Sequence, residues 1–167
     1  QRVLVTGANR GIGQAIVAAI CEEDPALDVV LASRNRARGE SARRALVDAT
    51  PSFVDRIRVI ELDVSSDASV QQAAEALSDG APFYGIVNNA GLGSEHPFED
   101  ILNVNLFGPK RVNDAFAPLL RAEEARIVNV SSASGPNFVA ECDEALQERL
   151  TSADVTWSDV LDIVENA

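Results

Sequence analysis

Short runs of β-branched and aliphatic residues alternate with longer stretches of helical period along this chain. Arg2–Thr6 reads as a strand, and a glycine-rich turn then opens an apolar helix from Gly11 to about Cys21. Asp28–Ala32 (DVVLA) has the composition of a buried strand. Arg36–Ala49 predicts a helix with its charges on one side, and Pro51 marks the break after it. Arg58–Glu61 predicts a third strand. Ser65 or Ser66 can cap the helix that follows, which runs to about Leu77 and closes at Asp79-Gly80. Tyr84–Asn88 predicts a fourth strand, Pro97 starts a long helix reaching about Arg121, and Arg126–Val130 predicts a fifth strand. From Pro136 onward the pattern changes to two acidic helix candidates, Glu141–Leu150 and Ser158–Glu165, with no strand after them.

Strands separated by helices imply right-handed crossovers, hence an α/β fold with a Rossmann-type, doubly wound parallel sheet in three αβα layers. We expect one dinucleotide-binding domain over 1–167, with residues 1–135 as its core. Ligands of such sheets bind at the carboxyl ends of the strands, near the point where the strand order reverses. Every conspicuous glycine or polar motif here follows a strand. A sheet of five parallel strands leaves an open edge, an aggregation hazard. The expectation is therefore a longer parent protein whose C-terminal part is missing here.

Charge narrows the partners. With 14 Lys+Arg against 26 Asp+Glu the net charge is −12, which argues against a nucleic-acid binder needing a basic face. It does not exclude a phosphorylated small molecule, because local cations can serve one site. The longest apolar run, Ala15–Cys21, is too short for a membrane-spanning helix of about 20 residues. Two cysteines, Cys21 and Cys142, make no disulfide framework and fit a reducing, cytoplasmic compartment.

The strongest chemical signal is Thr6-Gly7-Ala8-Asn9-Arg10-Gly11-Ile12-Gly13, directly after the first strand. Gly7 allows a tight turn, Gly11 lets backbone approach a pyrophosphate, and Gly13 allows close helix–strand contact. The helix N-terminus then offers N–H groups and partial positive charge to phosphates. An NAD site usually carries an acidic residue about 20 positions further on, to hold the ribose 2′-OH. Here that position is Ser33, followed by Arg34, and a guanidinium suits the 2′-phosphate of NADP(H) instead. Arg10 in the turn is a second cation.

With Leu62-Asp63-Val64 after the third strand, Asn88-Asn89-Ala90-Gly91 after the fourth, Val104-Asn105-Leu106-Phe107-Gly108 and Val128-Asn129-Val130-Ser131-Ser132, the chain resembles the short-chain dehydrogenase/reductase family. The resemblance implies that Gly7, Gly11, Ile12 and Gly13 line the pyrophosphate and nicotinamide side; Arg34 and Arg10 are the cations for the 2′-phosphate, and Asn9 of the same turn is a further cofactor-binding candidate. It implies that Asp63 and Val64 contact adenine, and that Asn89, Ala90 and Gly91 hold a ribose through their backbone. Catalytic roles would fall to Asn105, holding a water in a proton relay, and to Ser132, hydrogen-bonding the substrate carbonyl oxygen.

The family's chemistry needs a Tyr-x3-Lys pair after that serine, the Lys⁺ lowering the Tyr pKa from about 10. No Tyr or Lys follows Ser132 in this sequence; Tyr84 and Lys110 lie earlier and are wrongly placed. The stretch 136–167 resembles the helical insertion that separates the serine from the tyrosine in the monomeric, NADPH-dependent carbonyl reductase branch. That resemblance implies reduction of a small-molecule ketone or aldehyde to an alcohol by hydride transfer, and favours a monomer. The fragment by itself would be inactive. The alternative is a non-catalytic NADP-binding sensor that lacks the pair.

Overall fold

All four residues of β1 (Arg2–Val5) are buried, because this strand lies at the centre of the sheet. The computed structural model describes residues 1–166. After β1 come α1 (Gly11–Glu23), β2 (Asp28–Ser33), α2 (Arg36–Ala49), β3 (Ile57–Glu61), α3 (Asp67–Ala76) and β4 (Phe83–Asn88). Two short helices, α4 (Phe98–Leu102) and α5 (Gly108–Phe116), flank a π turn at Asn103–Phe107, and β5 (Arg126–Asn129) follows. The strands are parallel in the order β3-β2-β1-β4-β5. The chain therefore moves outward to β3, then returns past β1 to β4, and the order reverses between β1 and β4.

Strand alternation sorts the core into two faces. Val3, Val5, Val29 and Leu31 pack with Val17 and Cys21 of α1 and Ala42 of α2. Leu4, Val30 and Ile86 pack on the other side with Val70 and Ala73 of α3 and Val112 and Phe116 of α5. There the Phe83 and Phe116 rings meet edge-on, 5.6 Å apart at 80°. Burying each such ring contributes roughly 1.5–3 kcal/mol. The amino ends of the strands are closed by arginines on backbone carbonyls: Arg56 donates to Cys21 O, Asp24 O and Leu27 O, and Arg2 to Leu77 O. β5 forms one margin of the sheet, and Ile127 and Val128 are 42% and 50% exposed.

Two expectations need correction. The long helix predicted from Pro97 is a continuous helical run only up to Leu119, and the π turn interrupts it. Pro109 has no N–H to give Asn105 C=O four residues back, so the α-helical ladder breaks there. In the tail an extra helix precedes the acidic ones, and Glu141–Leu150 is not one piece.

Residues 1–130 form one compact unit and those from Ser131 another. The second holds α6 (Ser134–Glu141), α7 (Glu144–Thr151) and α8 (Trp157–Glu165). Pro136 is tolerated in the first turn of α6, where backbone N–H groups have no helical partner anyway. Cys142 closes α6, and Asp143 caps α7 by accepting from Leu146 N–H at 2.9 Å. Thr156 and Asp159 form a reciprocal capping box on α8. Arg149 and Asp162 link α7 to α8 at 2.6 Å.

Candidate functional site

The turn after β1 is locked to the loop after β4. Gly7 has φ +63°, and a Cβ there would lie 2.8 Å from Ala90 Cα. Thr6 Oγ1 accepts from the N–H groups of both Asn89 and Ala90, each at 3.0 Å. Asn89 Nδ2 donates back to Thr6 O (2.8 Å) and Gly7 O (3.3 Å). A Cβ on Gly13 would come within 2.4 Å of that same Nδ2 and 2.7 Å of Gly7 O. Only glycine lets α1 start this close to both loops.

The N-terminus of α1 is built as an anion cradle. Its N-cap, Arg10, is extended and makes no side-chain cap, so the first-turn N–H groups of a 13-residue helix keep their donors for an outside ligand. Gly11 has φ +54°, and its Cβ direction meets nothing within 4 Å. A side chain there would enter open space, and Gly11 itself lines the cleft. Ile12 is 67% exposed beside it. These features fit a dinucleotide.

A cleft of about 380 Å³ collects the residues. Gly7, Asn9, Arg10, Gly11, Ile12 and Gly13 line it from the first turn, Arg34 from the end of β2, Asp63 and Val64 from the end of β3, and Asn89, Ala90 and Gly91 from the end of β4. Arg10 and Arg34 are exposed, and neither has an ion-pair partner among the described residues. Asp63 Oδ1 accepts from Ser65 N–H (3.0 Å) and Ser65 Oγ (2.6 Å), which holds the carboxylate in a turn at the cleft wall.

Asn105 lies in the π turn and spends its amide on one residue. Its Oδ1 accepts from Leu92 N–H at 2.8 Å and its Nδ2 donates to Leu92 O at 2.9 Å. It thereby clamps the loop after β4. Asn88 points to the other face, donating to Asn113 Oδ1 (2.9 Å) and Asn129 Oδ1 (2.8 Å). Ser132 is exposed and belongs to the second unit, where its Oγ donates to Ser134 Oγ and accepts from Ser134 N–H, both at 3.1 Å. His96 sits beside Glu95 at 3.6 Å, and no metal-holding group of His, Cys, Asp and Glu occurs among the described residues. No helix among them is long and apolar enough to cross a membrane.

The profile of the short chain dehydrogenase family matches residues 1–142. The chain belongs to the short-chain dehydrogenase family. Carbonyl reductase (NADPH) 3 of Rattus norvegicus is 34% identical over 97% of this chain and 60% of its own length. Carbonyl reductase (NADPH) 1 of Sus scrofa is 34% identical over 96% of this chain and 57% of its own. The chain thus spans about 60% of the length of these relatives. Among solved structures, menthone neomenthol reductase from Mentha piperita superposes with a TM-score of 0.86 at 25% identity, covering 99% of this chain and 72% of that one. A metagenomic short-chain oxidoreductase in complex with NADP gives 0.68 at 30% identity, covering 81% and 63%.

In this short-chain dehydrogenase the cleft has three further walls to which the sequence assigns no binding role: Leu62 and Val104, each the first residue of a quoted motif, and Leu92, which directly follows one. Thr6 was read as part of the turn motif, but its role as the joint between two loops needs the fold, since its partners lie more than 80 positions away.

Proposed function

We propose that this chain binds NADP(H) and serves the reduction of a ketone or aldehyde carbonyl to an alcohol. One observation carries the cofactor reading: Arg10 and Arg34, without ion-pair partners, share a cleft with the uncapped N-terminus of α1. Both feature types want phosphate, and together they suit a nucleotide with an extra one. The relatives' printed names, carbonyl reductases using NADPH, support the same reading.

The residues divide the work. The N–H groups at the start of α1 hold the pyrophosphate, and Gly11 keeps side-chain atoms out of its place. Arg34, with Arg10, forks onto the 2′-phosphate. Asp63 accepts from the adenine amine, while its turn through Ser65 fixes its direction. Backbone groups at Asn89, Ala90 and Gly91 hold the ribose near the nicotinamide. When bound, NADPH would provide the hydride for the carbonyl carbon. Ser132 donates a hydrogen bond to the carbonyl oxygen, which requires its Oγ–H to turn from Ser134. Asn105 holds the loop after β4 through Leu92 and would support the proton path.

Calorimetry with NADPH and NADH tests the cofactor claim. Loss of one charge-assisted contact costs about 1.5 kcal/mol at an exposed site, or roughly tenfold in affinity. Arg34→Ala should weaken NADPH about tenfold and leave NADH nearly unchanged. Equal affinities of the unmodified chain for both nucleotides would refute the role of Arg34. In the full-length protein, NADPH consumption with a panel of ketones and aldehydes tests turnover. Tight binding without consumption would instead support the sensor.

A further inference from the structure

We propose that Arg111 is a positioning residue that ties the adenine-side loop after β3 to the π turn and thereby sets Asn105. The inference rests on the reading of Asp63 and Val64 as the adenine contact. Arg111 stands on α5 just beyond the π turn. Its Nη1 donates to Val64 O (3.3 Å) and to Asn103 O (3.1 Å), and its Nε donates to Asp67 Oδ1 (2.6 Å). The guanidinium carbon lies 6.0 Å from the Phe107 ring centroid. One planar group therefore bridges the loop after β3, the first residue of α3 and both ends of the π turn. Its side chain is only 22% exposed, which favours a fixed fork over a solvated charge.

The π turn has reason to need such support. Pro109 denies Asn105 C=O its usual α-helical donor, so the α ladder is interrupted and the wider π turn takes its place. Arg111 supplies a donor to Asn103 O from outside the ladder. A second contact joins the same two segments. A Cβ on Gly108 would lie 3.0 Å from Val64 Cγ2 and 3.4 Å from Val64 O, so α5 begins against that residue. Beyond the turn, Asn105 clamps Leu92 through two hydrogen bonds. Val64 and Leu92 both line the cleft. A continuous set of contacts thus runs from the loop after β3 through Arg111 and the π turn to the loop after β4.

Amide hydrogen exchange tests this on the chain as it stands, with 2′,5′-ADP as a probe of the adenine half alone. Without ligand, Arg111→Met should speed exchange of the Leu92 amide about tenfold, close to 1.4 kcal/mol of local opening. Leu4 and Ile86 amides in the sheet should not change, which separates this effect from a general loss of stability. In the unmodified chain 2′,5′-ADP should slow exchange at Leu92. In Arg111→Met the nucleotide should bind within about threefold of normal yet leave Leu92 exchange unchanged. Asp67→Asn keeps both carbonyl contacts and should behave like the unmodified chain. Arg111→Lys cannot fork and should show the same loss at Leu92 in smaller degree, which covers a methionine variant that fails to fold. Normal Leu92 exchange in both Arg111 variants overturns the proposal, as does a uniform change across the sheet. Failure of 2′,5′-ADP to bind the unmodified chain refutes the cofactor reading, while the ligand-free comparison still decides the role of Arg111.

Discussion

Substituting Gly13 by alanine tests the packing on which the cleft depends. A Cβ there would sit 2.4 Å from Asn89 Nδ2, 2.7 Å from Gly7 O and 2.9 Å from Ala8 Cα. Two of these atoms are backbone and cannot turn aside, so α1 must shift or Asn89 must leave. Overpacking of this kind costs roughly 1–3 kcal/mol. If Asn89 leaves, its hydrogen bonds to Thr6 O and Gly7 O go too, at about 0.5–1.5 kcal/mol each. Alanine recovers up to about 1 kcal/mol of helix propensity. The net loss is about 2–3 kcal/mol. At ~2–4 °C per kcal/mol for a chain of this size, Tm should fall by roughly 5–10 °C. Gly11→Ala is the control. Its Cβ meets nothing, and only the φ of +54° is unfavourable, at about 1–2 kcal/mol. It should cost less stability while reducing NADPH affinity more than tenfold, because the methyl group projects into the cradle. Thermal melts followed by dye fluorescence and calorimetric titration read both effects. A Gly13→Ala protein as stable as Gly11→Ala would refute the argument that close backbone approach fixes this glycine.

Thr6→Val keeps the shape but removes the acceptor for Asn89 N–H and Ala90 N–H, leaving two donors unsatisfied at about 1–3 kcal/mol each. Urea unfolding should show a loss of about 2–4 kcal/mol, while Thr6→Ser, which keeps the oxygen, should lose less; the reverse order would contradict the joint. Burial pushes the Cys21 thiol pKa up, so Cys142 should react first with a thiol reagent and Cys21 only as the chain unfolds; equal rates in the native chain would contradict its burial. Hydrogen bonds from Thr156 hold the Asp159 carboxyl below the usual carboxylate range. The folded value is thus the depressed one, so the capping box stabilises α8 above the ordinary Asp pKa of about 4 and fails as pH falls through the folded value. Circular dichroism should show α8 fraying on acidification, and Asp159→Asn should remove that acid limb.

The layered fold was legible because strand composition and helical period alternate without ambiguity, and because glycines and asparagines stand where strands end. The same local signals brought the turn from Gly7 to Gly13 and Arg34 into view, while Asp63, Val64 and Asn89 to Gly91 were visible as cleft candidates only through the family resemblance. What stayed illegible depends on contacts distant in sequence. The π turn at Asn103–Phe107 reads as ordinary helix, since Pro109 signals a break without saying whether the ladder bends, stops or widens. Asp143 was read inside a helix because the acidic run is helix-forming throughout. Its side chain prefers the cap, and a short polar residue at such a site wins by accepting a backbone N–H.

Net charge carries meaning only with its placement. A chain with 26 acidic side chains against 14 basic ones can supply a carboxylate for every arginine. Several arginines are in fact occupied. Arg2, Arg43 and Arg56 donate to backbone carbonyls, and Arg111, Arg121 and Arg149 reach carboxylates. Among the described residues Arg10 and Arg34 at the cleft have no carboxylate partner, and neither do Arg36, Arg38 and Arg44 on helix α2. Only Arg10 and Arg34 of these line the cleft, and they share it with the N-terminus of α1 and with the carboxylate of Asp63. Two cations and the positive end of a helix dipole outweigh one carboxylate there, so local charge at the cleft differs in sign from the net charge of −12.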